Sequence, residues 1–113
     1  MDTSFFTLLA QDSPGLVIYN EERGRWVRVP MREYAFIVNS GELLKQWSND
    51  HFRSARHFVV NDNGESARYS IPFFFNARPD YIMECLPSCQ GPDDPPKYAP
   101  ISYLQSQGVV QGE

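Results

Sequence analysis

The chain has 113 residues, 14 of them acidic and 10 basic, giving a net charge of -4 at pH 7 and an isoelectric point near 5.1. That length supports one small domain with a single core, and 42% apolar with 21% charged residues is the balance of a folded chain, not a disordered one. No basic stripe is available to displace counterions from phosphates, which argues against a nucleic-acid surface. No apolar run has the length of a bilayer span and no basic flank leads into an apolar stretch at the start, so the expectation is no membrane insertion and a cytoplasmic location.

Short apolar runs separated by turn residues dominate the order of the chain. "SFFTLLA" (4–10) ends in "QDSPG", whose Pro-Gly pair marks a turn; "LVIY" (16–19) ends in "NEERG", a hairpin loop before "RWVRVP" (25–30). Arg23, Arg25, Arg28 and Arg32 cluster here, but Glu21, Glu22 and Glu33 interleave with them, the pattern of a solvated hairpin more than of an anion site. "YAFIVNSG" (34–41) is again rich in β-branched and aromatic residues, whereas "GELLKQWSN" (41–49) switches to helix formers and predicts one or two helical turns. "ARHFVVN" (55–61), a polar "DNGES" turn and "ARYSIPFFF" (67–75) then predict two strands joined as a hairpin, for about six strands and one brief helix.

From residue 77 the character changes. Six of the nine prolines fall in this last third, which predicts an extended arm wrapping the surface, with "ISYLQSQ" (101–107) as a candidate terminal helix. Tyr81, Met83, Tyr98 and Tyr103 either pack this arm down or line a mouth, and packing is the favoured reading. Cys85 and Cys89 are the only cysteines; two thiols cannot complete a four-ligand zinc site, and two reduced, incidental thiols are expected over a disulfide or redox pair. Regularly spaced short strands with turn signals point to a mainly all-β sandwich, barrel or jelly roll.

Polar residues that interrupt strands have to be paired, exposed or used. Arg68 and Ser70 are two apart, so period-two alternation sends them to one face while Tyr69, Ile71 and Phe73 take the other. A guanidinium fork beside a hydroxyl suits a carboxylate, although an exposed arginine and an ordinary strand serine have the same pattern. His57 shares a face with Val59 and reads either as a hydrogen-bonded strand residue or as a ligand. His51, in the "SNDHF" turn, reads as a solvated loop side chain, and Asp2 as a polar residue just ahead of a strand.

In order, "DTSFFTLLAQD", "GLVIY", "WVRVP", "AFIVNSGELLKQWSND", "FRSARHFVVN" and "ARYSIPFFF" resemble the C-terminal half of the non-haem iron(II), 2-oxoglutarate-dependent dioxygenases, in the branch that includes isopenicillin N synthase. The resemblance runs from Asp2 to about Phe75. It implies a partial double-stranded β-helix (a jelly roll) over residues 1–76 followed by the arm over 77–113. It further implies that Asp2 and His57 match two ligands of a 2-His-1-carboxylate site for Fe(II), and that Arg68 and Ser70 match the pair that binds the far carboxylate of 2-oxoglutarate.

The implied reaction couples oxidative decarboxylation of 2-oxoglutarate, with O2, to hydroxylation, desaturation or ring closure of a small organic substrate. Met1 falls on the middle position of the family's H-x-D motif, so the first histidine ligand and the upstream strands are expected to be missing from this chain. A truncated jelly roll would carry unpaired edges open to self-association. The alternative is a non-catalytic jelly-roll binding or oligomeric module that has lost iron.

Overall fold

The computed structural model of the protein describes residues 2–61, 64 and 66–108; Met1, three residues of the "DNGES" turn and residues 109–113 lie outside them. Six strands form two antiparallel three-stranded sheets. β1 (Phe6–Gln11) lies between β4 (Ile37–Ser40) and β6 (Ser70–Phe75), and β2 (Leu16–Asn20) lies between β3 (Arg25–Arg28) and β5 (His57–Val59). The chain thus passes from the first sheet to the second, back at β4, across again at β5 and back at β6. This two-sheet exchange is the connectivity of a jelly roll.

The β2–β3 hairpin forms as its turn signal predicts, with Gly24 at φ 61° in the left-handed region that a tight reversal needs. The expected hairpin of 55–61 with 67–75 does not form. β5 pairs with β2 (Leu16 opposite Val59, Ile18 opposite His57), and β6 pairs with β1 along its full length, from Phe6 opposite Phe75 to Gln11 opposite Ser70. A six-residue ladder with β1 gives β6 a longer pairing partner than the three-residue β5 offers.

Register divides the first sheet into two unlike faces. Phe6, Leu8, Val38, Ile71, Phe73 and Phe75 share one of them. Thr7, Gln11, Asn39, Ser70, Pro72 and Phe74 share the other, which carries nearly all the polar groups.

α1 (Glu42–Trp47) has Glu42 in its first turn and Lys45 in its last, each at the end its charge favours. No side chain caps its start. Instead the backbone of residues 2–5 accepts the orphan amides: Gly41 N–H donates to Phe5 O (2.8 Å), Glu42 N–H to Asp2 O (2.8 Å) and Leu43 N–H to Ser4 O (3.2 Å). A Cβ on Gly41 would run into the Ser4 carbonyl, so glycine permits this approach. Leu43, 2% exposed, joins Phe5 and Met83 in the core, with Phe6, Leu44, Trp47, Ala77, Ile101 and Tyr103 packed around them. Burying a side chain such as Leu43 is worth about 1.5–3 kcal/mol.

The arm is fastened rather than loose. β7 (Ile82–Met83) pairs with β8 (Ile101–Ser102), and α2 (Tyr103–Ser106) begins with a capping box between Ser102 and Gln105. Asn49, buried and at φ 54°, donates to the carbonyls of Cys89 and Pro95 (3.1 Å each) and accepts from Lys97 N–H (2.8 Å). Met83 and Tyr103 do pack the arm down, and Tyr98 bonds to Asp50 (2.7 Å), whose carboxylate pushes the phenol's pKa up to about 12. Cys85 and Cys89 are free thiols.

Candidate functional site

Asp2 is held ahead of β1 by the same backbone contacts that start α1, and it is 6% exposed. Its Oδ1 accepts from Ser4 N–H (2.9 Å) and Ser4 Oγ–H (2.5 Å); its Oδ2 accepts from Thr7 Oγ1–H (2.6 Å) and Asn39 Nδ2–H (2.9 Å). Burial alone pushes the carboxyl pKa up, but the hydrogen bonds from Ser4, Thr7 and Asn39 together outweigh it and hold the group below the usual aspartate range. Asp2 is therefore a carboxylate near neutral pH, with about four lone-pair sites and four donors on them.

Arg68 sits just before β6. Its Nε–H donates to the Ser13 carbonyl (3.2 Å), its Nη2–H to Gln11 Oε1 (2.8 Å) and its Nη1–H to Ser70 Oγ (3.4 Å). A guanidinium has five N–H donors, so among the described residues one N–H on each terminal nitrogen is left unspent. Thr7 and Asn39, which bind Asp2, and Gln11 and Ser70, which bind Arg68, occupy the same face of the first sheet. Thr7 and Gln11 are four residues apart on β1, so the two clusters are about 13 Å apart along the strand at roughly 3.3 Å per residue.

His57 lies on β5 in the second sheet, exposed, opposite Ile18. Its Nδ1 is 3.1 Å from the Ala55 carbonyl. A carbonyl only accepts, so Nδ1 carries the proton in the neutral ring and Nε2 presents its lone pair, the arrangement found behind metal-bound imidazoles. His51 lies elsewhere, exposed, with its Nε2 3.2 Å from Asp94 Oδ2.

These groups suit a ferrous ion in kind: a carboxylate oxygen and an imidazole nitrogen are the hard and intermediate donors that Fe(II) takes. One condition attaches to Asp2, whose oxygen opens to a metal only when the Ser4 or Thr7 hydroxyl rotates away. No group of three His, Cys, Asp or Glu side chains converges among the described residues. Asp2 leads into the first sheet and His57 lies on the second, and no contact joins the two side chains among the described residues.

Sequence reasoning found Arg68 and Ser70 by alternation but missed the residues that seat them. Gln11 and Ser13 belong to a stretch that reads only as a strand end and a turn, and Asn39 lies 37 positions from Asp2. An apolar groove of about 500 Å³ lined by Phe6, Trp47, Phe75 and Tyr81 touches none of the four candidates. It opens on the face of the sheet that Phe6 and Phe75 share.

Residues 1–77 match the model of the 2OG-Fe(II) oxygenase superfamily. The chain belongs to that superfamily. It is 41% identical over 119 residues to the 2-oxoglutarate-Fe(II) type oxidoreductase hxnY of Emericella nidulans, covering 97% of this chain and 34% of the relative. With the kihadalactone A synthase LFS of Citrus sinensis it shares 43% identity over 104 residues, 88% of this chain and 30% of that protein.

Among solved structures, full-length Neurospora crassa T7H in complex with alpha-KG superposes with a TM-score of 0.83 at 33% identity, over 96% of this chain and 38% of that one. JOX2 in complex with 2OG, Fe and JA gives a TM-score of 0.84 at 27% identity, over 99% and 33%. The jelly-roll fold of the superfamily is accordingly the fold of this chain, which spans about a third of the length of the curated relatives it matches.

Proposed function

We propose that this chain supplies the cosubstrate-anchoring part, and part of the metal site, of an Fe(II)- and 2-oxoglutarate-dependent oxygenase that hydroxylates or desaturates a small organic molecule. Arg68 and Ser70 hold the far carboxylate of 2-oxoglutarate, and Asp2 and His57 are the metal ligands. Bound iron supplies the power to activate O2 and oxidise an unactivated carbon. The chain's own residues bind, orient and charge-balance: the Arg68 fork offers two parallel N–H donors, the Ser70 hydroxyl a third, and Asp2 a stable negative charge.

The observation that supports this most is Arg68 held from behind with donors left over, on the same sheet face as the Asp2 cluster. Isothermal titration with 2-oxoglutarate and Mn(II) under argon tests it. Saturable binding that Arg68→Ala abolishes is the expected result, and unchanged binding in that variant would sink the reading. A cytoplasmic location and the absence of nucleic-acid or membrane partners belong to the same proposal. No helix among the described residues is long and apolar enough to cross a membrane.

A second reading rests on the filled carboxylate of Asp2: a jelly roll that retains the anion seat and does without iron, with the uncovered edges of its sheets open to a second copy. Anaerobic Fe(II) with 2-oxoglutarate separates the two, because a metal-to-ligand charge-transfer band needs both bound.

A further inference from the structure

The "QDSPG" turn, which reads as a simple chain reversal, wraps the base of Arg68 from three sides. Gln11 Oε1 takes Nη2–H at 2.8 Å, and the Ser13 carbonyl takes Nε–H at 3.2 Å. Gly15 is buried, and a Cβ there would lie 2.6 Å from Arg68 Nε and press on the Val60 carbonyl oxygen. The turn also grips the backbone between Arg68 and Ser70: Asp12 N–H donates to Tyr69 O (3.1 Å), and Tyr69 N–H donates to Asp12 Oδ1 (2.9 Å). Across the ladder Gln11 stands opposite Ser70, so the two side chains flank the guanidinium from adjacent strands.

We infer that Gln11 is the positioning residue for Arg68, fixing its guanidinium plane so that the unspent N–H groups face the far carboxylate of a five-carbon keto diacid. This rests on the reading of Arg68 given above. An arginine side chain has four rotatable torsions, and a ligand that must freeze them loses that entropy from its binding energy. The Ser13 carbonyl by itself fixes only Nε–H, about which the guanidinium plane can still rock, and the contact of Nη1–H with Ser70 Oγ is long at 3.4 Å. The Gln11 acceptor on Nη2 removes that freedom before the ligand arrives. Gln11 makes no ligand contact in this role; it sets the plane.

The test is an NMR titration of the full chain with 2-oxoglutarate, following the Arg68 Nε–Hε resonance, with 2-oxopentanoate as the analogue whose far carboxylate is a methyl group. Gln11→Met keeps length and removes the acceptor, and we expect about a tenfold weaker apparent Kd for 2-oxoglutarate with no change for 2-oxopentanoate. The free-state Nε–Hε signal should also broaden in this variant. Should Gln11→Met fail to fold, Gln11→Asn, which retracts the amide by one methylene, is expected to give the same loss.

Undiminished 2-oxoglutarate affinity in a folded Gln11 variant overturns the inference while Arg68→Ala still abolishes binding. Binding that survives Arg68→Ala overturns the parent reading as well. Equal losses for both keto acids show a merely structural role for Gln11 and also overturn the inference.

Discussion

The two polar clusters on one face of the first sheet are built to opposite plans. At the Arg68 end, three acceptors hold the base of the side chain and leave donors unspent. At the Asp2 end, four donors fill both carboxylate oxygens. On the proposed reading the first cluster is ready for a ligand as it stands. The second is at rest as a fold element, joining the strand start to α1 and β4, and on the proposed reading would take a metal only by giving up one of those donors. Preorganisation and saturation thus lie about 13 Å apart on the same strand.

Replacing Arg68 by lysine breaks the comparison at its open end and should have the largest effect. An ammonium is a point charge and cannot bond to the Ser13 carbonyl and Gln11 while presenting a planar fork outward. Affinity for 2-oxoglutarate is expected to fall about 100-fold, or roughly 2.7 kcal/mol, by calorimetry. Retention within a fewfold would mean that charge alone, not geometry, does the holding.

Gly41→Ala attacks the filled end. The new Cβ would collide with the backbone carbonyl oxygen of Ser4 and lie 3.1 Å from Asp2 Oδ1, an oxygen that two hydrogen bonds from Ser4 hold in place. Urea denaturation should show a loss of about 1–3 kcal/mol, the usual range for overpacking. An unchanged midpoint would show that the α1 start shifts freely, and the tight Asp2 cluster with it.

Thr7→Val sharpens the contrast, because it removes one donor from Asp2 Oδ2 at nearly constant shape. Stability should fall by about 1.5–3 kcal/mol, the scale of a hydrogen bond to a charged group. Mn(II) affinity, read by electron paramagnetic resonance, should rise, since an oxygen lone pair is released. Stability and metal affinity falling together would mean that Thr7 supports the ligand geometry instead of competing for it.

How far the sequence reaches differs between the two ends for the same physical reason. Alternation within one strand is local, so Arg68 and Ser70 fall on one face without any knowledge of the sheet, and the β2–β3 hairpin, α1 and α2 are equally local. Pairing between distant strands is not local. The "DNGES" turn signal favoured β5 beside β6, and only the six-residue match with β1 moves β6 into the first sheet. Gln11 comes opposite Ser70, and Asn39 opposite Thr7, through that long-range register, which a single chain of letters does not display. The family resemblance named Asp2 and His57, but it gave no sign that four donors would fill the carboxylate.

Acid titration probes the Arg68 end most gently. Asp12 is exposed, yet the Tyr69 backbone N–H holds its carboxyl pKa below the ordinary value, against an opposing push from desolvation and with help from Ser13 and the Arg68 charge. A lowered folded pKa means that the bound carboxylate contributes stability above the ordinary value of 3.8, and that the contribution is lost as pH falls through the lowered one. At neutral pH nothing changes. Below pH 4 the Tyr69 amide should progressively lose hydrogen-exchange protection, and Arg68 and Ser70 on either side of it should broaden in step. Asp12→Asn should remove the pH dependence and leave the Asp2 cluster untouched. If Arg68 keeps its sharp signal while Tyr69 opens, the side-chain contacts to Gln11 and Ser13 hold the guanidinium without help from the backbone clasp.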